Sequence, residues 1–125
     1  MFEVGIVVQF EAAHQLRGDF GPAARRHGHT YRVEITVQGE ALRDDGTLCD
    51  IGLIQQLADD AVGVLHYRDL DDLPVFEGKN TTAETVAAYV ADRLTPALRG
   101  KSLADLHVRV WESSLAYAGC RRELS

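Results

Sequence analysis

Cysteine is nearly missing from this 125-residue sequence, and the two that occur, Cys49 and Cys120, lie far apart with no C-x-x-C spacing. That excludes a disulfide scaffold and a cysteine metal knuckle, and it fits two small buried residues in a reducing compartment. Proline is scarce too, at 3 residues, and with 46% hydrophobic and 26% charged residues the chain is neither disordered nor low-complexity. No apolar run approaches the roughly 18 residues that a membrane span needs. Met1 leads directly into an alternating strand pattern rather than a secretory leader, so a cytoplasmic protein with no membrane partner is expected. Positive charge is in deficit, 13 Lys and Arg against 19 Asp and Glu, for a formal charge of −6. This balance argues against nucleic-acid binding. What remains suits one domain over residues 1–125, long enough to bury about two-thirds of its unfolded surface.

Hydrophobic periodicity supplies the elements. From Phe2 the even positions read Phe2, Val4, Ile6, Val8, Phe10 and Ala12, with Glu3, Gln9 and Glu11 on the odd side, which predicts a half-buried strand. A second strand runs from about Gly28 to Glu40, with Tyr31, Val33, Ile35 and Val37 on one face and Arg32, Glu34, Thr36 and Gln38 on the other. The 12 residues Gln15 to Arg26 connect them, longer than a tight hairpin requires. After a turn around Asp44 to Gly46, Asp50 can cap a helix with Ile54, Leu57, Ala58, Ala61 and Leu65 on its apolar stripe, ending near Tyr67. Arg68 to Asn80 reads as an irregular connection. Thr81 with Glu84 forms a capping box for a second helix, which Pro96 should end or kink. Leu106, Val108 and Val110 begin a third strand, and Leu115 to Arg122 supply a fourth. The expected architecture is α+β in ββααββ order, a four-stranded antiparallel sheet with two helices on one face.

Extending the strand parity exposes a cluster. His14 continues the apolar face of the first strand, and His27 and His29 continue that of the second. Antiparallel pairing with Phe10 opposite Val33 places His14 opposite His29, and all three imidazoles project to one side. Three neutral imidazoles match a catalytic zinc site with one open position. His27-Gly28-His29 alone also fits a wet sheet edge, and three histidines also fit a polar pocket without metal. By the same parity Glu112 continues the face of Leu106, Val108 and Val110, at the other end of the sheet. A partly buried carboxylate needs a partner. Either Arg121 or Arg122 meets it, or a ligand donor edge such as an aminopyrimidinone does.

The segments Phe10-Glu11-Ala12-Ala13-His14, His27-Gly28-His29-Thr30-Tyr31, Gly46-Thr47-Leu48-Cys49-Asp50, Thr82-Ala83-Glu84 and Trp111-Glu112-Ser113, in this order, resemble the 6-pyruvoyl and 6-carboxy tetrahydropterin synthase family. The resemblance covers nearly the whole chain. It implies a tunnelling fold in which three subunits join their sheets into a barrel and two trimers stack into a homohexamer, with the pterin site between subunits. It further implies zinc on His14, His27 and His29, a pterin anchored on Glu112, and Thr82 and its neighbours lining the pocket. The family's usual substrate is dihydroneopterin triphosphate, whose side-chain hydroxyls the metal polarises while a cysteine and an Asp-His pair move protons.

The chain departs from that pattern where the protons are moved. Ala23 stands four residues before His27, where the family has its cysteine. In Leu65-His66-Tyr67-Arg68, His66 and Tyr67 replace the Asp-His pair. Alanine accepts no proton, and loss of general-base catalysis typically removes about 10² to 10⁴ in rate. The expected function is therefore a pterin-binding homologue, a sensor, carrier or scaffold, without the parent triphosphate elimination. The alternatives are altered chemistry that uses a metal with His66 or Tyr67, and a structural oligomer without a small ligand. Cys49 is a weak surrogate nucleophile, and Arg25 and Arg26 suit either a phosphate or a solvated basic edge.

Overall fold

Alternating apolar and polar side chains draw Phe2–His14 into β1 and His27–Gly39 into β2, whose even and odd faces respectively turn inward. The computed structural model describes all residues 1–125. β1 and β2 pair antiparallel from Phe2 opposite Gly39 to His14 opposite His27. This is two residues away from the expected register: Phe10 faces Tyr31, and Ala12 rather than His14 faces His29. A slip by an even number leaves every side chain on its face, so the inward set is unchanged. The connection between the strands contains a single 3₁₀ turn at Gly21–Ala24.

Asp50 caps helix α1, Ile51–Gly63, accepting a hydrogen bond from the Gly52 N–H at 2.9 Å. Ile54, Ala58, Ala61 and Val62 are buried on it. The helix stops four residues short of Tyr67, which has a left-handed backbone at φ 57°. Arg68–Asp69 then form a two-residue strand, β3, parallel to β1 at Ala12 and Ala13. The sheet is therefore mixed and five-stranded, in the order β3-β1-β2-β4-β5, rather than four-stranded and antiparallel. Two residues are too short to carry any alternation, so β3 leaves no periodic signal.

Helix α2 spans Ala83–Leu98 and buries Val86, Ala87, Val90, Ala91 and Leu94. Its N-cap is Thr82, not Thr81: the Thr82 hydroxyl accepts from the Thr85 N–H at 3.2 Å, and Thr81 is fully buried instead. Glu84 consequently falls one residue short of the capping-box position. Pro96 does not end the helix, which continues two residues beyond it to Leu98. Strands β4, Asp105–Trp111, and β5, Tyr117–Glu123, complete the sheet.

Both helices cover the same face, and one core of Phe10, Tyr31, Val33, Ile35, Ile54, Leu94 and their neighbours lies between the layers. The opposite face is uncovered. Its central strands carry a charged ladder in which Glu34 lies between Arg32 and Arg109, at 2.9 and 3.8 Å, and Arg109 stacks over Tyr117. No helix is long and apolar enough to cross a membrane.

The cap assignment is checked by urea unfolding. Thr82→Ala should cost about 1 kcal/mol, whereas Glu84→Ala should cost only the helix-dipole contribution of about 0.3–0.5 kcal/mol.

Candidate functional site

His14 closes β1, while His27 and His29 open β2, so the end of the ladder gathers all three rings. Their ring centroids stand 4.5, 5.1 and 4.7 Å apart, and one ligand atom from each lies within 4.8 Å of the others. Backbone carbonyls set two of the tautomers. His14 Nδ1 is 2.7 Å from the Thr81 carbonyl oxygen, and His27 Nδ1 is 2.6 Å from that of Arg25. A carbonyl only accepts, so each Nδ1 carries the proton and each Nε2 keeps its lone pair. His14 is completely buried, and its Nε2 and that of His29 have no hydrogen-bond partner. Burial holds the His29 pKa below its ordinary value against the opposing charge of Glu112. Three imidazoles with one ligand atom each within 4.8 Å of the others, two of them with Nδ1–H held by a carbonyl, are what a zinc ion requires, and the three residues fit the group.

Glu112 lies just beyond β4, at the same end of the sheet as the histidines rather than at the other end. Its carboxylate comes within 3.4 Å of His29 Nε2. The arginine alternative does not occur: Arg121 pairs with Asp105 and Arg122 with Asp92. A cavity of about 430 Å³ beside it is lined by Gln9, Thr30, Arg32, Trp111, Glu112 and Ser113. The Trp111 indole N–H is buried and unpartnered there. Thr82 caps α2, and the residue before it, Thr81, makes the direct contact with His14.

Thr81 and Tyr31 are the neighbours that pattern reading passed over. Tyr31 follows His29 on the same face, stacks on Phe10 at 4.7 Å, and has a buried hydroxyl without a partner. Burial pushes its pKa up, so the phenol stays neutral. Parity alone could have found Tyr31; Thr81 carried no signal, because its backbone carbonyl makes the contact.

His66 and Tyr67 are not brought into the cluster. His66 Nδ1 accepts the Glu11 N–H at 3.0 Å and the Tyr67 N–H donates to the Glu11 carbonyl, so both residues fasten the outer edge of β1. Tyr67 is 76% exposed, its ring is tilted against that of His66 at 3.9 Å, and it borders a groove of about 620 Å³ that it shares with Glu11, Ala13, Gly28, His29 and Thr30. Ala23 contributes its carbonyl oxygen, which accepts the Leu16 N–H, and otherwise only a methyl group. Arg26 pairs with Asp69, and its guanidinium also reaches Gln15. Cys49 is buried near Phe2, and burial raises its thiol pKa. Phe2 and His14 stand at opposite ends of β1, about 40 Å apart, which removes Cys49 from the site.

Comparison with known proteins shows the family to which the chain belongs and the fold it shares. The chain is 28% identical over 133 residues to a protein of Pyrococcus abyssi named putative 6-carboxy-5,6,7,8-tetrahydropterin synthase, covering 88% of this chain and 83% of that one. It is 34% identical over 74 residues to the human 6-pyruvoyl tetrahydrobiopterin synthase, covering 58% of this chain and 51% of the human protein. The solved structure of the Caenorhabditis elegans 6-pyruvoyl tetrahydropterin synthase superposes with a TM-score of 0.83 over 98% of this chain and 96% of that one, at 21% identity. The sequence profile described as 6-pyruvoyl tetrahydropterin synthase matches residues 3–123, and the chain belongs to that family.

Proposed function

We propose that this protein binds a pterin-like molecule anchored on Glu112, beside a zinc ion held by His14, His27 and His29, and that it does not perform the parent triphosphate elimination. The observation that carries this reading is Glu112 itself, a half-buried carboxylate with no arginine partner, set 3.4 Å from His29 Nε2 in the histidine cluster. A carboxylate so placed can accept two parallel N–H bonds from an aminopyrimidinone edge. Zinc, when bound, supplies a Lewis acid for a ligand oxygen. Ala23 offers no base, and His66 spends its Nδ1 lone pair on a backbone N–H. A sensor, carrier or scaffold role follows from binding without this relay. A homohexamer is part of the proposal, supported by two unpaired strand edges: β3 covers only Ala12 and Ala13 of β1, and β5 ends the sheet.

A second reading, altered chemistry through His66 or Tyr67, draws on the exposure of both rings, which leaves them free to reach a site on another copy of the chain.

Three outcomes are expected. Zn²⁺ at 100 times its dissociation constant should stabilise the wild type by about 2.7 kcal/mol, and neither His14→Ala nor His27→Ala should show this increment in thermal melts. The increment should shrink as pH falls and protons compete with the metal for the imidazole lone pairs; burial, which lowers the His29 pKa, works against that competition at His29. Calorimetric titration of neopterin and biopterin should give saturable binding that Glu112→Gln loses. Absence of binding in both proteins, with and without Zn²⁺, would leave the structural oligomer. Dihydroneopterin triphosphate should not be turned over; measurable turnover abolished by His66→Ala and Tyr67→Phe would establish the second reading.

A further inference from the structure

Asp71 lies well away from the three histidines in sequence, yet its carboxylate grips the chain on both sides of His14. Oδ2 accepts the N–H of Gln15, the residue after His14, at 2.9 Å, and Oδ1 accepts the Thr81 hydroxyl at 2.8 Å. Thr81 is fully buried, and its carbonyl takes the His14 Nδ1–H. The Thr81 hydroxyl oxygen also stands 3.4 Å from His14 Nδ1. A hydroxyl can donate as well as accept, so its proton has two destinations: the Asp71 carboxylate or the imidazole nitrogen.

We propose that Asp71 is a positioning residue for His14: by holding the Thr81 hydroxyl it keeps the Thr81 carbonyl against Nδ1 and the hydroxyl proton turned away from it. So held, the carbonyl takes the Nδ1–H and Nε2 is left with its lone pair among the other two imidazoles. Without Asp71 the Thr81 carbonyl is no longer fixed at Nδ1 and the hydroxyl is free to turn and donate there in its place, so that the imidazole proton moves to Nε2 and His14 presents an N–H where a metal ligand needs a lone pair. The charged acceptor wins over the neutral imidazole because hydrogen bonds to a carboxylate are roughly twice as strong as neutral ones. The two N–H and O–H donors converge on the two oxygens of one carboxylate, an arrangement no single-oxygen acceptor reproduces in full. The Asp71 network thus selects the tautomer of His14 as well as its place. The consequence for zinc rests on the metal reading above; the tautomer itself does not.

The test is made on the metal-free protein at about pH 8, where imidazoles are neutral. Long-range proton–nitrogen correlation spectra of the wild type should show His14 in the Nδ1–H form. Asp71→Ala should populate the Nε2–H form. Adding Thr81→Val to that variant removes the competing hydroxyl, keeps the carbonyl, and should restore the wild-type tautomer. In parallel, competition with a chromogenic chelator should show zinc affinity falling about 10- to 100-fold in Asp71→Ala and recovering in the double variant. Asp71→Asn keeps one acceptor oxygen but loses the charge and the second oxygen, so it should populate the Nε2–H form in part; it serves as the test should Asp71→Ala fail to fold. An unchanged tautomer in Asp71→Ala, or in Asp71→Asn where the alanine variant does not fold, or no restoration by Thr81→Val, would overturn the proposal. If the wild type binds no zinc while the tautomers respond as stated, the metal reading fails and the positioning role of Asp71 stands.

Discussion

The two-residue period of the β1–β2 ladder is the constraint on which the site depends. Thirteen consecutive pairs, from Phe2 opposite Gly39 to His14 opposite His27, carry one face of each strand from the core out to its end. The side chains that begin as Val8, Phe10, Tyr31 and Val33 finish as His14, His27 and His29 on the same side. A slip of one residue in either strand would turn its histidines toward water. Because the imidazoles inherit a core face, they inherit its desolvation, which holds His29 below its ordinary pKa and leaves two ring nitrogens unpartnered.

The segment after α1 is tied to the strand ends at several points. Where the resemblance expects an Asp-His pair, His66 and Tyr67 engage the backbone of Glu11 on the outer edge of β1. Asp69 then reaches Arg26, next to His27, and Asp71 reaches Gln15, next to His14. Four side chains or backbone groups in six residues therefore tie this connection to the strand ends. The segment fastens the histidine-bearing ends in place through hydrogen bonds and one ion pair.

Parity made the site legible from sequence, and it did so despite a wrong register. The 12-residue connection from Gln15 to Arg26 has no turn chemistry that pins the pairing, so Phe10 could be set opposite Val33 instead of Tyr31; the even error left the faces intact. Contacts made by backbone carbonyls were not legible. Thr81 looked like a cap by type and spacing, whereas its carbonyl and buried hydroxyl serve His14. β3 was invisible because two residues have no period, and the placement of Glu112 beside His29 required knowing that β4 pairs with β2. Pro96 did not stop α2, which runs two residues past it to Leu98, without the backbone bond that proline cannot donate.

The uncovered face of the sheet has its own consequence. Arg32, Glu34 and Arg109 alternate in sign across neighbouring strands, and Tyr117 lies under a guanidinium instead of in an apolar patch. Such a wall is at ease in water and gains little from being dried. The margins of the sheet differ from this wall, because there the backbone itself stands unpaired and offers hydrogen bonds that the charged face does not.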